Sequence, residues 1–229
     1  MSHTVHTTRW SLVQEAKGDT PQGRQALSEL CALYYQPVNR FIGHWCREPD
    51  EVDDLTHAFF ARVLHGGSLN GADATRGRFR SYLLGATKHF LLETAAARKA
   101  QKRGAGADTR LLDDDVTDAR QLPPDQLFDR HWALAILDQS LSSLEVEMGE
   151  QGKEKVFNVL KPWLNGQADH GETIAAAQAL GTTETAVRVL LHRLKKRFRE
   201  LLRNHLSETL GPAGDVDAEL EHLHSALRA

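Results

Sequence analysis

Apolar residues recur along the chain at spacings of three and four, and no stretch alternates with a period of two for long enough to suggest a strand. Residues 24–45 place Leu27, Leu30, Tyr34, Val38, Phe41 and Trp45 on one stripe. That stripe predicts a helix which Pro37 should kink or divide, because proline lacks an amide donor and clashes with the carbonyl four residues back. "PDEVDDLTHAFFARVL" repeats the period with Val52, Leu55, Phe59 and Val63, and its leading acids suit the positive end of a helix dipole. From Phe79 the positions Tyr82, Leu83, Ala86 and Phe90 form a third stripe. The fold class these patterns predict is all-α.

The period lapses between about 104 and 130, where "GAGADTRLLDDDVTDARQLPPDQLFDR" holds seven Asp against three Arg and a proline pair. Such a composition buries little apolar surface and predicts a flexible acidic linker. The helical pattern resumes at "HWALAILDQSLSSL" and runs through "KEKVFNVLKPWLNG". The expected organisation is two small helical domains, residues 1–103 and 131–210, joined by a linker at 104–130. A helical tail at 211–229 follows, with Leu220, Leu223 and Leu227 on one face that calls for a docking site.

Within the second domain, "DHGETIAAAQALG" reads as a short Ala-rich helix with Asp169 and Glu172 at capping-box spacing. Gly181 can take the left-handed conformation that ends it, and Thr182 or Thr183 can cap the next helix. A short helix, a Gly turn and a longer helix together predict a helix-turn-helix, with Ala177 small enough to let the two helices cross closely. In the longer helix Val187, Leu190, Leu191, Leu194, Phe198 and Leu201 make a stripe to be buried. Arg188, His192, Lys195, Lys196, Arg199 and Arg203 recur on the other side.

Charge sharpens that pattern. The chain as a whole has 28 Lys/Arg and 31 Asp/Glu, a net −3, yet residues 182–203 hold seven Lys/Arg and two Glu. A solvated helix face would account for this, but a polyanion partner accounts for it and for the Gly turn as well. In a helix-turn-helix the first turns of the second helix enter the major groove. Thr185, Arg188, Val189, His192 and Arg193 are then the candidates for base edges, and Lys195, Lys196, Arg197 and Arg199 for the phosphate backbone. A second basic patch spans residues 76–103, with eight Lys/Arg and one Glu. Phe79, Tyr82, His89 and Phe90 are interleaved with it, and rings beside cations suit unpaired bases. Core packing is the competing expectation for Phe79, Tyr82 and Phe90; it accounts less well for Arg76, Arg78, Arg80 and Lys88.

Composition adds exclusions. Cys31 and Cys46 lie fifteen apart with no CxxC pair, which predicts a reduced, cytoplasmic setting. The start lacks a signal-peptide layout, and no apolar run approaches the roughly 20 residues that span a bilayer, so no membrane insertion is expected. There is no P-loop, nucleophile elbow or dinucleotide fingerprint. Asp53 and His57, four apart with Glu51 and Asp54 nearby, make at most a sparse metal motif. No catalysis, metal or cofactor is expected.

"DEVDDLTHAFFARVL", "RFRSYLLGATKHFLLE", an acidic linker and "ALGTTETAVRVLLHRLKKRFREL" resemble, in that order, the successive regions of bacterial RNA polymerase sigma factors of the extracytoplasmic function type. The resemblance covers roughly residues 10 to 205. It implies a two-domain, all-helical protein that binds core RNA polymerase and directs it to promoter DNA, with room for an anti-sigma or other regulatory partner. By position, Asp53, Asp54, Leu55, Phe59, Phe60 and Arg62 fall in the helix that docks on the polymerase in that family. His57 and Ala58 stand where the family commonly has Gln-Glu. Arg78 to Lys88 match the segment that recognises and opens the minus-ten element. Arg76, Arg78, Phe79, Arg80, Tyr82, Lys88 and His89 become the melted-strand candidates, with Tyr82 where Trp is usual and His89 where Asn is usual. The basic helix would read the minus-thirty-five element. Ala175, Ala176 and Ala177 replace the family's Glu-Ile-Ala, which leaves Ile174 as the expected apolar packing residue of the short helix. The rival reading is a stand-alone helix-turn-helix regulator with a ligand-sensing or dimerising first domain, for which the patch at 76–103 has no evident use.

Overall fold

Helices are the regular elements of the computed structural model, which describes residues 13, 15–16, 18, 20–46, 48–65, 78–103, 123–164, 172–210 and 214–228; no strand occurs among them. In chain order they are α1 (Pro21–Trp45), α2 (Pro49–His65), α3 (Phe79–Arg103), α4 (Pro124–Glu150), α5 (Glu154–Leu164), α6 (Thr173–Leu180), α7 (Glu184–Glu208) and α8 (Val216–Arg228). The chain divides into two units, residues 1–135 with 206–229, and residues 136–205.

In the first unit α1 starts cleanly because Thr20 accepts a hydrogen bond from the Gly23 amide at 2.9 Å and Pro21 occupies a position that needs no donor. Pro37 lies inside this single helix and does not divide it. An interior proline costs about 3 kcal/mol. Tyr34, Val38, Phe41 and Ile42, on both sides of it, are fully buried, and each such side chain returns about 1.5–3 kcal/mol. Burial therefore outweighs the lost hydrogen bond. Leu55, Phe59, Phe60 and Val63 of α2 and Phe79, Leu83 and Phe90 of α3 complete this core. Polar ties fix the helices against one another: Asn39 donates to Asp53 (2.9 Å) and Thr56 (3.3 Å), Arg62 pairs with Glu93, and Arg98 pairs with Glu51.

Residues 124–130, expected to be linker, are instead the opening turns of α4. Phe128 is buried with its ring edge-on to Phe41 at 6.3 Å, and Trp132 is buried four residues later. Two large rings at helical spacing outweigh the acidic composition that suggested a loop. The rest of the expected linker, 104–122, lies outside the described residues. The tail forms α8, capped by the Asp215 carboxylate, which accepts from the amides of Asp217 (2.9 Å) and Ala218 (3.2 Å). Its buried positions are Glu219, Leu223 and Ala226, whereas Leu220 and Leu227 are only half-buried. The docked face is thus rotated from the leucine stripe and has a carboxylate in it.

In the second unit Leu144 of α4, Phe157 and Leu160 of α5, Ala176 and Ala177 of α6, and Val187, Leu194 and Leu201 of α7 form one apolar cluster. His205 is buried beside it between two hydroxyls, Ser140 Oγ at 3.0 Å from Nδ1 and Ser143 Oγ at 3.4 Å from Nε2. Ser140 already donates to the Ile136 carbonyl at 2.8 Å, so towards His205 Nδ1 its oxygen is the acceptor.

Helix α6 ends as the sequence suggests. Gly181 adopts φ 63°, ψ 38°, its amide bonds to the Gln178 carbonyl, and the Thr182 amide bonds back to Ala177 at 2.9 Å. Thr183 then caps α7 by accepting from the Ala186 amide at 3.2 Å. The start of α6 departs from expectation. Glu172 is the N-cap residue with helical dihedrals and makes no capping bond, while Asp169 lies outside the described residues. Ile174 is 55% exposed, and Thr173, Ala176 and Ala177 are buried in its place. Of the three alanines, Ala176 and Ala177 face the core and Ala175 is exposed.

Candidate nucleic-acid interface

Helix α7 separates its two faces as an amphipathic helix must. Val187, Leu194 and Leu201 turn inward, while Thr185, Arg188, Val189, His192, Arg193, Lys196 and Arg199 are exposed, Val189 at 45%. Lys195 is half-buried. From Thr185 to Arg199 this row is about 21 Å long at 1.5 Å per residue. Arg188 lies 3.6 Å from Glu184, four residues earlier, and an exposed pair of that kind exchanges readily for another anion. Arg197 does not belong to the row. Its Nε donates to both oxygens of Glu147 (3.0 and 2.9 Å) and an η nitrogen donates to Glu200 (3.0 Å), contacts that raise its pKa further. Arg197 is an intra-unit strut, and its assignment as a phosphate contact is corrected.

The first unit sorts its basic residues more severely. Arg76 lies outside the described residues. Phe79 is buried against the edge of Tyr34 at 5.3 Å, so it is a core ring and not a stacking platform. Arg80 is 5% exposed; its guanidinium lies 4.6 Å above the Trp132 ring and donates to Glu219 (3.0 Å) and Asp129. It too is removed from the strand-contact set. Arg78 is partly exposed, with its Nε 2.8 Å from Glu219 but off the hydrogen-bond axis, so that contact is chiefly Coulombic. Lys88 pairs with Asp125 at 2.7 Å in a solvent-exposed bridge. Tyr82 is half-buried and stacked on Phe79 at 6.1 Å, and burial pushes its phenol pKa up, so the ring stays neutral. His89 is exposed, 3.3 Å from Glu93.

Tyr82 and His89 nevertheless share a site. With Arg62, Ser81 and Gly85 they line a groove of about 490 Å³ whose walls include Phe59 and Phe90. Positions 82, 85 and 89 follow one face of α3. Arg62 and Gly85 escaped the sequence reading of this site. Arg62 was assigned to polymerase docking. Gly85 did carry a signal, since an isolated glycine inside a helical pattern costs stability and marks a place where something approaches the backbone closely. A methyl group built on it meets nothing within 4 Å.

The polymerase-docking candidates separate into two groups. Asp53 and Asp54 are exposed on α2, and Arg62 is exposed but paired with Glu93. Leu55, Phe59 and Phe60 are buried, with Phe60 stacked on Tyr35 at 5.8 Å, so they belong to the core and not to a docking surface. Their spacing is that of the stripe that faces α1 and α3. Asp53 and His57 are engaged separately, Asp53 by Asn39 and His57 by the Tyr35 hydroxyl at 3.2 Å. Burial pushes the Cys31 thiol up to about 11, so it stays protonated and unreactive near neutral pH.

Compared with known proteins, the chain matches no family model, no curated protein and no solved structure. The chemistry of the site therefore stands on its own residues. One helix entered through a Gly turn offers a row of exposed cations, and a groove in the first unit offers a neutral ring, an imidazole and a guanidinium. The first suits the phosphodiester backbone of a nucleic acid and the second an unpaired base beside it.

Proposed function

We propose that the chain is a sigma factor of the extracytoplasmic function type, acting in the cytoplasm with core RNA polymerase as its partner and promoter DNA as its target. The second unit reads the minus-thirty-five element as duplex through Arg188, Val189, His192 and Arg193, with Lys195, Lys196 and Arg199 on phosphates. The first unit takes unpaired bases of the minus-ten element in the groove beside Tyr82 and His89. Asp53 and Asp54 of α2 remain as the polymerase contacts. The observation that carries this reading is the exposed basic row on α7, directly after the left-handed turn at Gly181 and opposite the buried Val187, Leu194 and Leu201, with Leu190, Leu191 and Phe198 partly buried beside them. The ordered resemblance of the sequence to the family extends it to the first unit.

The test is in vitro transcription with purified core polymerase, beside a gel shift without polymerase. Promoter-specific transcripts that require the added chain, with little binding by the chain alone, are expected. A stand-alone regulator gives the reverse. On a promoter library Arg188→Ala should cost about 1–3 kcal/mol and relax choice at one position, whereas Lys195→Ala should weaken all sequences alike. A uniform loss for Arg188→Ala removes it as a base reader.

Gly85 gives a separate check on the groove. Alanine there should raise helix stability by about 0.5–1 kcal/mol, because the added methyl has room and glycine is the poorer helix former. The same methyl narrows the groove and should weaken binding of single-stranded DNA. Thermal melting and fluorescence anisotropy measure the two effects, and a gain in both stability and binding would exclude the groove as a base site.

A further inference from the structure

We propose that α8 is a built-in latch, which holds Glu219 on Arg78 and so keeps that arginine from nucleic acid until the helix lifts. The inference rests on the strand-binding reading of the first unit and adds its regulation. Glu219 is fully buried, and its two carboxylate oxygens face two cations, one 3.0 Å from Arg80 Nε and the other 2.8 Å from Arg78 Nε. Arg78 immediately precedes α3, and its carbonyl accepts from the Tyr82 amide at 3.3 Å, so it lies one turn before the Tyr82 end of the groove. A strand leaving the groove past Tyr82 meets this arginine next, and a carboxylate already faces its Nε. Carboxylate and phosphate compete for the same guanidinium charge, so Glu219, through its Coulombic contact with Arg78, opposes the approach of a backbone phosphate.

The remaining contacts of α8 suit a reversible dock. His222 Nε2 is 3.1 Å from an oxygen of Asp129, its ring lies 6.2 Å from Trp132, and Leu223 and Ala226 are the buried apolar residues. Departure of the helix does not orphan the buried Arg80, which keeps Asp129 and its stack on Trp132. The body is therefore able to stay folded while Arg78 is released.

Fluorescence anisotropy of a labelled ten-nucleotide single-stranded DNA with the full chain tests this, comparing wild type with Glu219→Gln across a salt series. The variant should bind about fourfold more tightly at 0.15 M salt, and its plot of log K against log salt should be steeper by about 0.7, the contribution of one more phosphate contact on a single strand. Hydrogen exchange on the wild-type protein should show faster exchange along 216–228 when the oligonucleotide is bound. Equal affinities and slopes with unchanged protection of α8, while Tyr82→Ala still weakens binding, would overturn the latch and leave the strand site standing. No binding at all, or binding insensitive to Tyr82→Ala, would remove both. Should Glu219→Gln fail to fold, the exchange measurement on the wild-type chain decides alone.

Discussion

Arg80→Ala is expected to lower the folding stability of the first unit by about 3–5 kcal/mol, the cost of removing one partner from a buried charge cluster. The guanidinium is 5% exposed and sits between Glu219, itself fully buried, and Asp129, with the Trp132 ring beneath it. Its removal leaves the Glu219 carboxylate in a poorly solvated place with only Arg78 beside it and strips a stacked plane from Trp132. Urea denaturation without nucleic acid measures the loss. The double variant Arg80→Met, Glu219→Gln should recover a substantial part, since neither remaining side chain then carries an unpaired buried charge. An Arg80→Ala protein with an unchanged midpoint but weaker binding to single-stranded DNA would reverse the assignment and return Arg80 to the surface.

That expectation also shows where sequence reading reaches its limit. The helical period alone was enough to recognise α1, α2, α3 and α7, and to anticipate that Val187, Leu194 and Leu201 of α7 turn inward. Period does not say which of several neighbouring arginines is exposed. Arg78 and Arg80 belong to one basic run, yet the second is fixed by Asp129 and by Glu219, partners 49 and 139 residues away. Arg197 differs from Arg199 because Glu147, fifty residues earlier, and Glu200, three residues later, both hold it. Long-range acid partners take part in each case, and the local helical pattern does not announce them.

Two other departures have the same origin at the level of packing. Leu55, Phe59 and Phe60 lie in a segment matched by resemblance to a docking helix, but Leu55, Phe59 and Val63 recur every four residues on the face α2 turns to the core, and Phe60 is buried beside them. Where a family position and a buried stripe compete for one side chain, the core has the prior claim, because burying a phenylalanine returns about 1.5–3 kcal/mol. At α6 the reverse error arises: Ile174 is the most apolar side chain of the short helix, yet small Ala176 and Ala177 are chosen for the buried face. Close approach of two helix backbones favours the smaller residue, which the sequence signalled at Ala177, four residues before the Gly turn, but not at Ala176. The segment 124–130 completes the set, since Phe128 and Trp132 outweigh the acids around them once Phe41 is available to pack against.

On α7 the same sorting leaves a sharper functional test than the sequence allowed. Arg193, Lys196 and Arg199 are exposed, and among the described residues no ion pair engages them, whereas Arg188 has Glu184 and Arg197 has Glu147 and Glu200. Each cation that neutralises a duplex phosphate adds about 0.9 to the slope of log K against log salt, which at 0.15 M amounts to roughly fivefold in affinity. Replacing Arg193, Lys196 and Arg199 together by alanine should therefore lower promoter binding by polymerase loaded with this chain by about two orders of magnitude. The salt slope should fall by about 2.7. Exposed side chains on a well-formed helix contribute little to folding, so the melting temperature should hardly move. Arg197→Ala makes the control: it removes a charge from the same helix but breaks a strut to α4, so it should lower stability while leaving the salt slope unchanged. A triple variant whose slope matches wild type would show that this row faces solvent and not DNA, and the placement of the minus-thirty-five element on α7 would then have to be abandoned.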